Sequence, residues 1–245
     1  TIFIYQIEKN MESQKPKIAM YVKRPFGEKL NASFDFLKEN WKLLLKFTTY
    51  LLLPLCLIQA LSLNGLMSGA LSISAIASST AMAASSSSLI AFGSYYGLYM
   101  FLYLIGIILL TSLVYGLIRT YNEREERLQG VTLGMLKPRL FRNIKRLLLM
   151  TGACILLVLF VGIFVGLLVA LTPFTLFLTI PFIIAFSVPL ALLAPIYLFE
   201  DITLMEAFKK TFRLGFATWG GVFLVSLLMG IIANVLQGVT MMPWY

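Results

Sequence analysis

Five stretches of this chain run for about 20 residues or more with no Asp, Glu, Lys or Arg in their interiors, Lys46 standing at the edge of the first. They are residues 43–63, 95–118, 147–171, 174–199 and 216–238. That is the length a helix needs to cross the hydrocarbon core of a bilayer. Inside lipid no water is present to bond backbone N–H and C=O groups, so an open chain can cross only as helix. The composition agrees. Hydrophobic side chains make up 59% of the chain and charged ones 13%, whereas soluble domains hold about 45–50% and about a quarter. The expected fold is therefore all-α, a polytopic membrane helix bundle in a single integral membrane domain over residues 24–245, behind a tail at 1–23.

The positions of the 20 Lys and Arg residues orient the spans. Nine lie before or at the edge of the first span, eight between the second and third, and three (Lys209, Lys210, Arg213) between the fourth and fifth. None is left for the other side. The positive-inside rule then places the N-terminus, the 119–146 segment and the 200–213 segment in the cytoplasm. The Ser- and Ala-rich residues 64–90 must lie outside as a low-complexity loop, helical or re-entrant. Reading them as a further span would put 11 basic residues on the external side.

Each cytoplasmic segment carries an apolar stripe at helical spacing. Phe26, Leu30, Phe34, Leu37 and Trp41 recur at steps of three and four, with charged residues between them. Such a pattern suits a helix lying in the membrane interface. Glu206, Phe208, Phe212, Gly215 and Trp219 follow Glu28, Leu30, Phe34, Leu37 and Trp41 with a constant shift of 178. Leu133, Leu136, Leu140, Ile144 and Leu147 form a looser third copy, with Pro138 expected at its helix start. Trp41 and Trp219 fall where indole rings favour the headgroup level. The unit reads as interfacial helix, span, external turn, span. Its third copy has one span only, so five spans are visible of an expected six. Met11-Glu12-Ser13 reads like a natural start, which leaves residues 1–10 as candidate non-native residues.

The stretch Arg24-Pro25-Phe26-Gly27-Glu28-Lys29-Leu30-Asn31-Ala32-Ser33-Phe34 resembles the N-terminal signature of a six-helix membrane domain. That domain is found fused to some bacterial glycerophosphodiester phosphodiesterases, and the YciC-like uncharacterised membrane proteins are similar to it. Ala194-Pro195-Ile196-Tyr197-Leu198-Phe199-Glu200 with Ala207-Phe208-Lys209-Lys210-Thr211-Phe212-Arg213-Leu214 resembles the later signature of the same family. The resemblance implies a multi-pass protein of the bacterial inner membrane. It carries over no catalytic residue, because the phosphodiesterase activity of the fused enzymes belongs to a separate soluble domain.

Chemistry is constrained by what the chain lacks. With no histidine there is no Ser-His or Cys-His pair, no HExxH zinc site and no imidazole shuttle. No catalytic, cofactor-binding or metal-binding residue is expected. Cys56 and Cys154 lie in apolar runs and read as small buried hydrophobes. The expected membrane-interface anchors are Phe26, Leu30, Phe34, Trp41, Phe208, Phe212 and Trp219. Candidate contacts for a headgroup or partner are Glu200, Asp201, Arg142, Lys145 and Arg146. Thr203 with Glu206 spells a capping box. Glu123, Glu125 and Glu126 among Arg124 and Arg127 read as a solvated helix end with local ion pairs. Pro181, Pro189 and Pro195 kink the fourth span, and Gly93/Gly97 and Gly162/Gly166 have the spacing of close helix contacts. Asn234 is expected to bond between helices.

A net charge of +9 beside amphipathic segments attracts anionic headgroups. The preferred expectation is a non-enzymatic protein that organises or senses lipid, or scaffolds a membrane partner or a second copy, without binding nucleic acid. The rival is a transporter or permease, or a subunit of one, for a small or lipid-like molecule. Proton coupling is disfavoured, because no span carries an Asp, Glu, Lys, Arg or His in its interior.

Overall fold

The computed structural model describes residues 17–20, 22–78, 86–172 and 174–241, with side chains described outside 72–89 and 241. All regular structure among them is helical. The elements are α1 (Phe26–Ser78), α2 (Ser86–Glu123), α3 (Leu133–Leu171), α4 (Thr175–Leu190), α5 (Leu193–Phe199), α6 (Leu204–Ala217) and α7 (Trp219–Met241). Five helical stretches are long and apolar enough to cross a membrane, with α4 and α5 together making the fourth. The chain is a multi-pass helical membrane protein. It falls into two compact units, Thr1–Ile144 and Lys145–Tyr245, whose boundary lies inside α3. The expectations for residues 1–10, the start at Met11, the serines and alanines of 79–85 and the C-terminal residues 242–245 lie outside the described residues.

In the first unit α1 and α2 pair antiparallel. Phe36 of α1 meets Tyr121 near the end of α2 edge to face, with ring centroids 5.2 Å apart. Far along α1, a Cβ at Gly65 would lie 2.5 Å from the Tyr95 ring, and one at Gly69 would lie 3.3 Å from Phe92. Gly65 and Gly69 are thus the small pair that lets the helices approach. The pairs expected to do so, Gly93/Gly97 and Gly162/Gly166, meet nothing within 4 Å among the described residues. The Ser- and Ala-rich segment is no irregular loop at 64–78 or 86–90: these residues extend the two helices. Alanine favours helix, and the α1–α2 contact extends along it. At the other end, the Ser112 hydroxyl donates to the Leu140 carbonyl at 3.1 Å and the Asn143 amide donates to the Ser112 carbonyl at 3.4 Å. These two bonds, the first part-buried and the second buried, tie α2 to the first half of α3.

The separate interfacial helices expected for the first two units do not form. α1 is unbroken for 53 residues, about 80 Å at 1.5 Å per residue, and so includes both amphipathic segment and span. Its packing face explains this: Phe36, Leu43, Leu44, Phe47 and Leu51 run across the junction, and the one polar residue among them, Asn40, is buried with its amide donating to the Phe36 carbonyl of the same helix at 3.0 Å. The second segment is likewise continuous with its span in α3. Helix α3 starts at Leu133, so Pro138 sits inside it, not at its first turn. Only the third segment stands alone, as α6, separated from α7 by Thr218.

In the second unit, α6 packs on α4 and α5, and α7 packs on α4. The fourth span is interrupted between α4 and α5 at Ala191 and Leu192, between Pro189 and Pro195. Proline has no N–H, so Pro189 leaves the Ala185 carbonyl without its i+4 donor. The Trp219 indole N–H fills that place, donating to Ala185 O at 3.0 Å. Beside it, a Cβ at Gly215 would lie 2.5 Å from Pro189 Cβ and 2.6 Å from its Cα. Glycine there is what lets α6 cross α4 at this proline. Two smaller expectations also change. Asn234 donates to Gly230 of its own helix at 2.8 Å rather than to another helix. Cys56 is an exposed thiol and Cys154 a half-buried one, both free, so neither is a fully buried core residue.

Trp219→Phe should destabilise the second unit by about 1–2 kcal/mol, the cost of a stranded buried acceptor. In a Pro189→Ala background the restored amide can bond Ala185, and the same change should cost much less. A double-mutant cycle read by thermal unfolding in detergent measures that coupling; additive effects would show that the indole bond does not replace the missing amide.

Candidate functional site

The polar residues of the first unit gather where the start of α1, the end of α2 and the start of α3 meet. Lys17 donates to the carbonyls of Asn122 at 2.7 Å and Arg124 at 3.1 Å. A cation thereby closes the α2 C-terminus, where the helix dipole favours positive charge. The Tyr121 hydroxyl accepts from the Ile18 N–H at 3.3 Å and donates to Glu39 at 3.2 Å. Arg127 pairs with the other Glu39 oxygen at 2.8 Å, from a backbone in the left-handed region at φ 59. Glu123 is held by Arg119 at 3.1 Å and also by Arg139, which donates to the Thr120 hydroxyl at 3.0 Å. The acid-rich end of α2 is therefore more than a solvated helix end. Arg124–Glu126 is local, but Glu39–Arg127 ties α1 to the α2–α3 connection and Glu123–Arg139 joins α2 to α3.

The predicted apolar stripe of α1 faces away from this network. Phe34, Leu37 and Trp41 are 39%, 47% and 55% exposed, while Phe26 and Leu30 are half-buried. Phe36, Asn40 and Phe47 are buried instead. Trp41 lies beside Lys42, whose ammonium sits 5.9 Å from the indole centroid. Trp41, Lys42, Leu45, Lys46, Thr49 and Tyr50 line a shallow open groove along the helix.

In the second unit the corresponding stripe is engaged. Phe208, Phe212 and Phe216 stack in sequence, and Phe186 of α4 packs edge-on against Phe212 and Phe216. Trp219 stacks on Phe223, with centroids 5.0 Å apart, and makes its bond to Ala185. The 178-residue shift therefore equates residues in different surroundings: Trp41 is exposed, whereas Trp219 is tied to a span.

Among the candidate headgroup contacts, Arg146 is the centre of a clamp. Its guanidinium donates to the carbonyls of Tyr197 at 2.6 Å and Ile202 at 2.7 Å, and to Asp201 at 3.0 Å. Its plane also lies 4.2 Å from the Tyr197 ring centroid. One side chain thus caps α5 and fixes the α5–α6 connection, in which Asp201 takes a left-handed φ of 54. Glu200 pairs with Lys210 at 2.5 Å. Arg142 and Lys145 are exposed one turn and one residue before Arg146. The signal for the clamp was Arg146 immediately preceding an apolar run, but a charge count cannot tell a clamp from a topological signal.

The Thr203–Glu206 capping box forms. The Thr203 N–H donates to the Glu206 carboxylate at 3.1 Å, and the Glu206 N–H donates to the Thr203 hydroxyl at 3.4 Å. The bond from the Thr203 backbone N–H, helped by the Thr203 side chain and the Lys209 charge, holds Glu206 below the usual carboxylate range against a desolvation that acts the other way. Among the described residues no group of three or more acids or cysteines is placed to hold a metal ion. Comparison of the chain with protein-family models, with curated proteins and with solved structures finds no match.

Arg146→Met should destabilise the second unit by about 2 kcal/mol, since it takes the side-chain donor from two carbonyls, those of Tyr197 and Ile202. Arg146→Lys should recover only part, because one ammonium cannot span the three acceptors. Asp201→Asn keeps the left-handed backbone and should cost less than about 1 kcal/mol. Thermal unfolding of the three variants gives the order directly.

Glu206 sets a pH dependence. Its folded pKa is depressed, so its contribution is present above the ordinary carboxylate value and is lost as pH falls through the lower folded value. Amide exchange in the first turn of α6 should therefore accelerate below about pH 4 relative to the intrinsic rate. Glu206→Gln should abolish that step.

Proposed function

We propose that the protein is a non-enzymatic organiser of the bacterial inner membrane, which gathers anionic lipid headgroups along a basic cytoplasmic rim. The supporting observation is how charge is distributed at the polar end of the first unit. Glu39 and Glu123 are paired with arginines within the fold, whereas Lys42 and Lys46 stand beside the exposed apolar stripe of Trp41 and Leu45. Cations beside exposed aromatic and aliphatic side chains suit a headgroup layer, where each basic residue contributes about 1 kcal/mol of attraction to an anionic surface. The absence of histidine from the chain and the resemblance of the Arg24–Phe34 stretch to a bacterial membrane domain fit the same reading. Phe26, Leu30, Phe34 and Trp41 are its proposed anchors. Phe208, Phe212 and Trp219 keep that role only through faces left free by their contacts in the second unit.

A second reading, a transporter or a subunit of one, is favoured by one feature. The fourth span is broken at Ala191–Leu192 between two prolines, and broken helices line substrate paths in carriers.

Two measurements test the proposal. Single cysteines near Ser86 should react with an impermeant thiol reagent in intact cells, and those at Arg127 and Lys209 should not; the reverse pattern would overturn the orientation. Protein extracted with its native lipid in polymer discs should carry a higher anionic fraction than the surrounding membrane. An unchanged fraction, combined with solute flux in reconstituted vesicles, would favour the carrier.

A further inference from the structure

Along α1, the groove at Trp41 continues into a longer stripe. Lys42, Lys46, Thr49, Tyr50, Leu53, Leu57 and Leu61 follow one another at helical steps of four, three, one, three, four and four, so they share one side of the helix. Lys42, Lys46, Thr49 and Tyr50 line the groove. Beyond it Leu53, Leu57 and Leu61 are 52%, 61% and 72% exposed. From Lys42 to Leu57 the helix rises about 22 Å, comparable to one bilayer leaflet with its headgroups. The order of chemistry along that distance is two ammonium groups, then two hydroxyls, then leucines. A phospholipid presents the complement in the same order: a phosphate, then ester carbonyls, then an acyl chain. Packing within the first unit does not consume the stripe, because its core uses Phe36, Phe47 and Leu51, none of which belongs to it.

We infer that this stripe is a binding site for one anionic phospholipid, with the phosphate held between Lys42 and Lys46, the ester region at Thr49 and Tyr50, and an acyl chain along Leu53 and Leu57. Trp41 flanks the headgroup and positions the Lys42 ammonium over its ring. Charge complementarity selects an anionic headgroup over a zwitterionic one. The apolar continuation selects a lipid over free phosphate. The inference rests on the proposed lipid-organising function and narrows it to one site.

The test is native mass spectrometry of the delipidated full chain in mild detergent, titrated separately with phosphatidylglycerol, phosphatidylcholine and inorganic phosphate. The wild-type protein should retain a first phosphatidylglycerol adduct more tightly than phosphatidylcholine, and millimolar phosphate should not displace it. The K42Q/K46Q double variant should weaken that adduct on the order of tenfold. Lys209→Gln, at an exposed lysine of the other unit, should leave it unchanged. Leu53→Ser with Leu57→Ser should weaken phosphatidylglycerol binding without removing the headgroup preference. If the wild-type preference exists but survives K42Q/K46Q, the site is wrong and the wider lipid-organising reading stands. If the wild type binds both lipids equally, the wider reading fails as well. Displacement by inorganic phosphate alone would show a simple anion site in place of a lipid site.

Discussion

Backbone carbonyls and amides inside a bilayer have no water to turn to, and each one left unpaired costs several kcal/mol. Helices satisfy most of them, but every proline and every helix end leaves some open. This protein closes one such opening within a span, and others at the ends of spans, with side-chain donors from another part of the chain. Trp219 donates to the Ala185 carbonyl that Pro189 leaves free. Arg146 donates to Tyr197 and Ile202 where α5 ends. Lys17 donates to Asn122 and Arg124 where α2 ends. Each donor also joins two segments, so the same bonds that satisfy the backbone hold the helices together. Gly215 against Pro189 and the Gly65–Gly69 pair against Tyr95 and Phe92 then set how closely those helices pack.

Much of this architecture is legible in the residues. Uncharged runs of about 20 residues identify the five spans because hydrocarbon tolerates no alternative. The Thr203–Glu206 box forms as its spacing implies, since both bonds are local. What the residues do not reveal is which face of an amphipathic helix meets protein. On α1 the apolar spacing singles out Phe34, Leu37 and Trp41 as a membrane-facing stripe, but it gives no sign that Phe36, Asn40 and Phe47 are the residues enclosed by protein. In a membrane both faces can be apolar, so hydrophobic periodicity no longer separates core from surface. The same ambiguity hid the unbroken continuation of α1, and the repeat of Glu-Phe-Trp spacing concealed that Trp219 is bonded and Trp41 is exposed.

Within the first unit, the pairing of acids with arginines and the placement of lysines beside exposed aromatic side chains belong together. Glu39 and Glu123 serve the joints between helices, leaving Lys42 and Lys46 on the outer surface. A basic surface with an apolar continuation is suited to a lipid rather than to a soluble anion. The second unit spends its equivalent aromatics on internal contacts. Under the proposed function this would divide the labour, the first unit presenting its exposed basic and apolar face to lipid while the second is built around a braced, proline-broken span.

A lipid-facing role for the first unit requires the exposed apolar surface of α1 to lie in lipid. Nitroxide labels at Leu45, Leu53 and Leu61, compared with one at the buried Phe36, measure this through their collision rates with oxygen and with a water-soluble nickel chelate. Oxygen should dominate at Leu53 and Leu61, nickel access should rise toward Leu45 at the basic end, and Phe36 should be shielded from both. High nickel access at Leu53 would place that stretch of α1 in water and contradict the account.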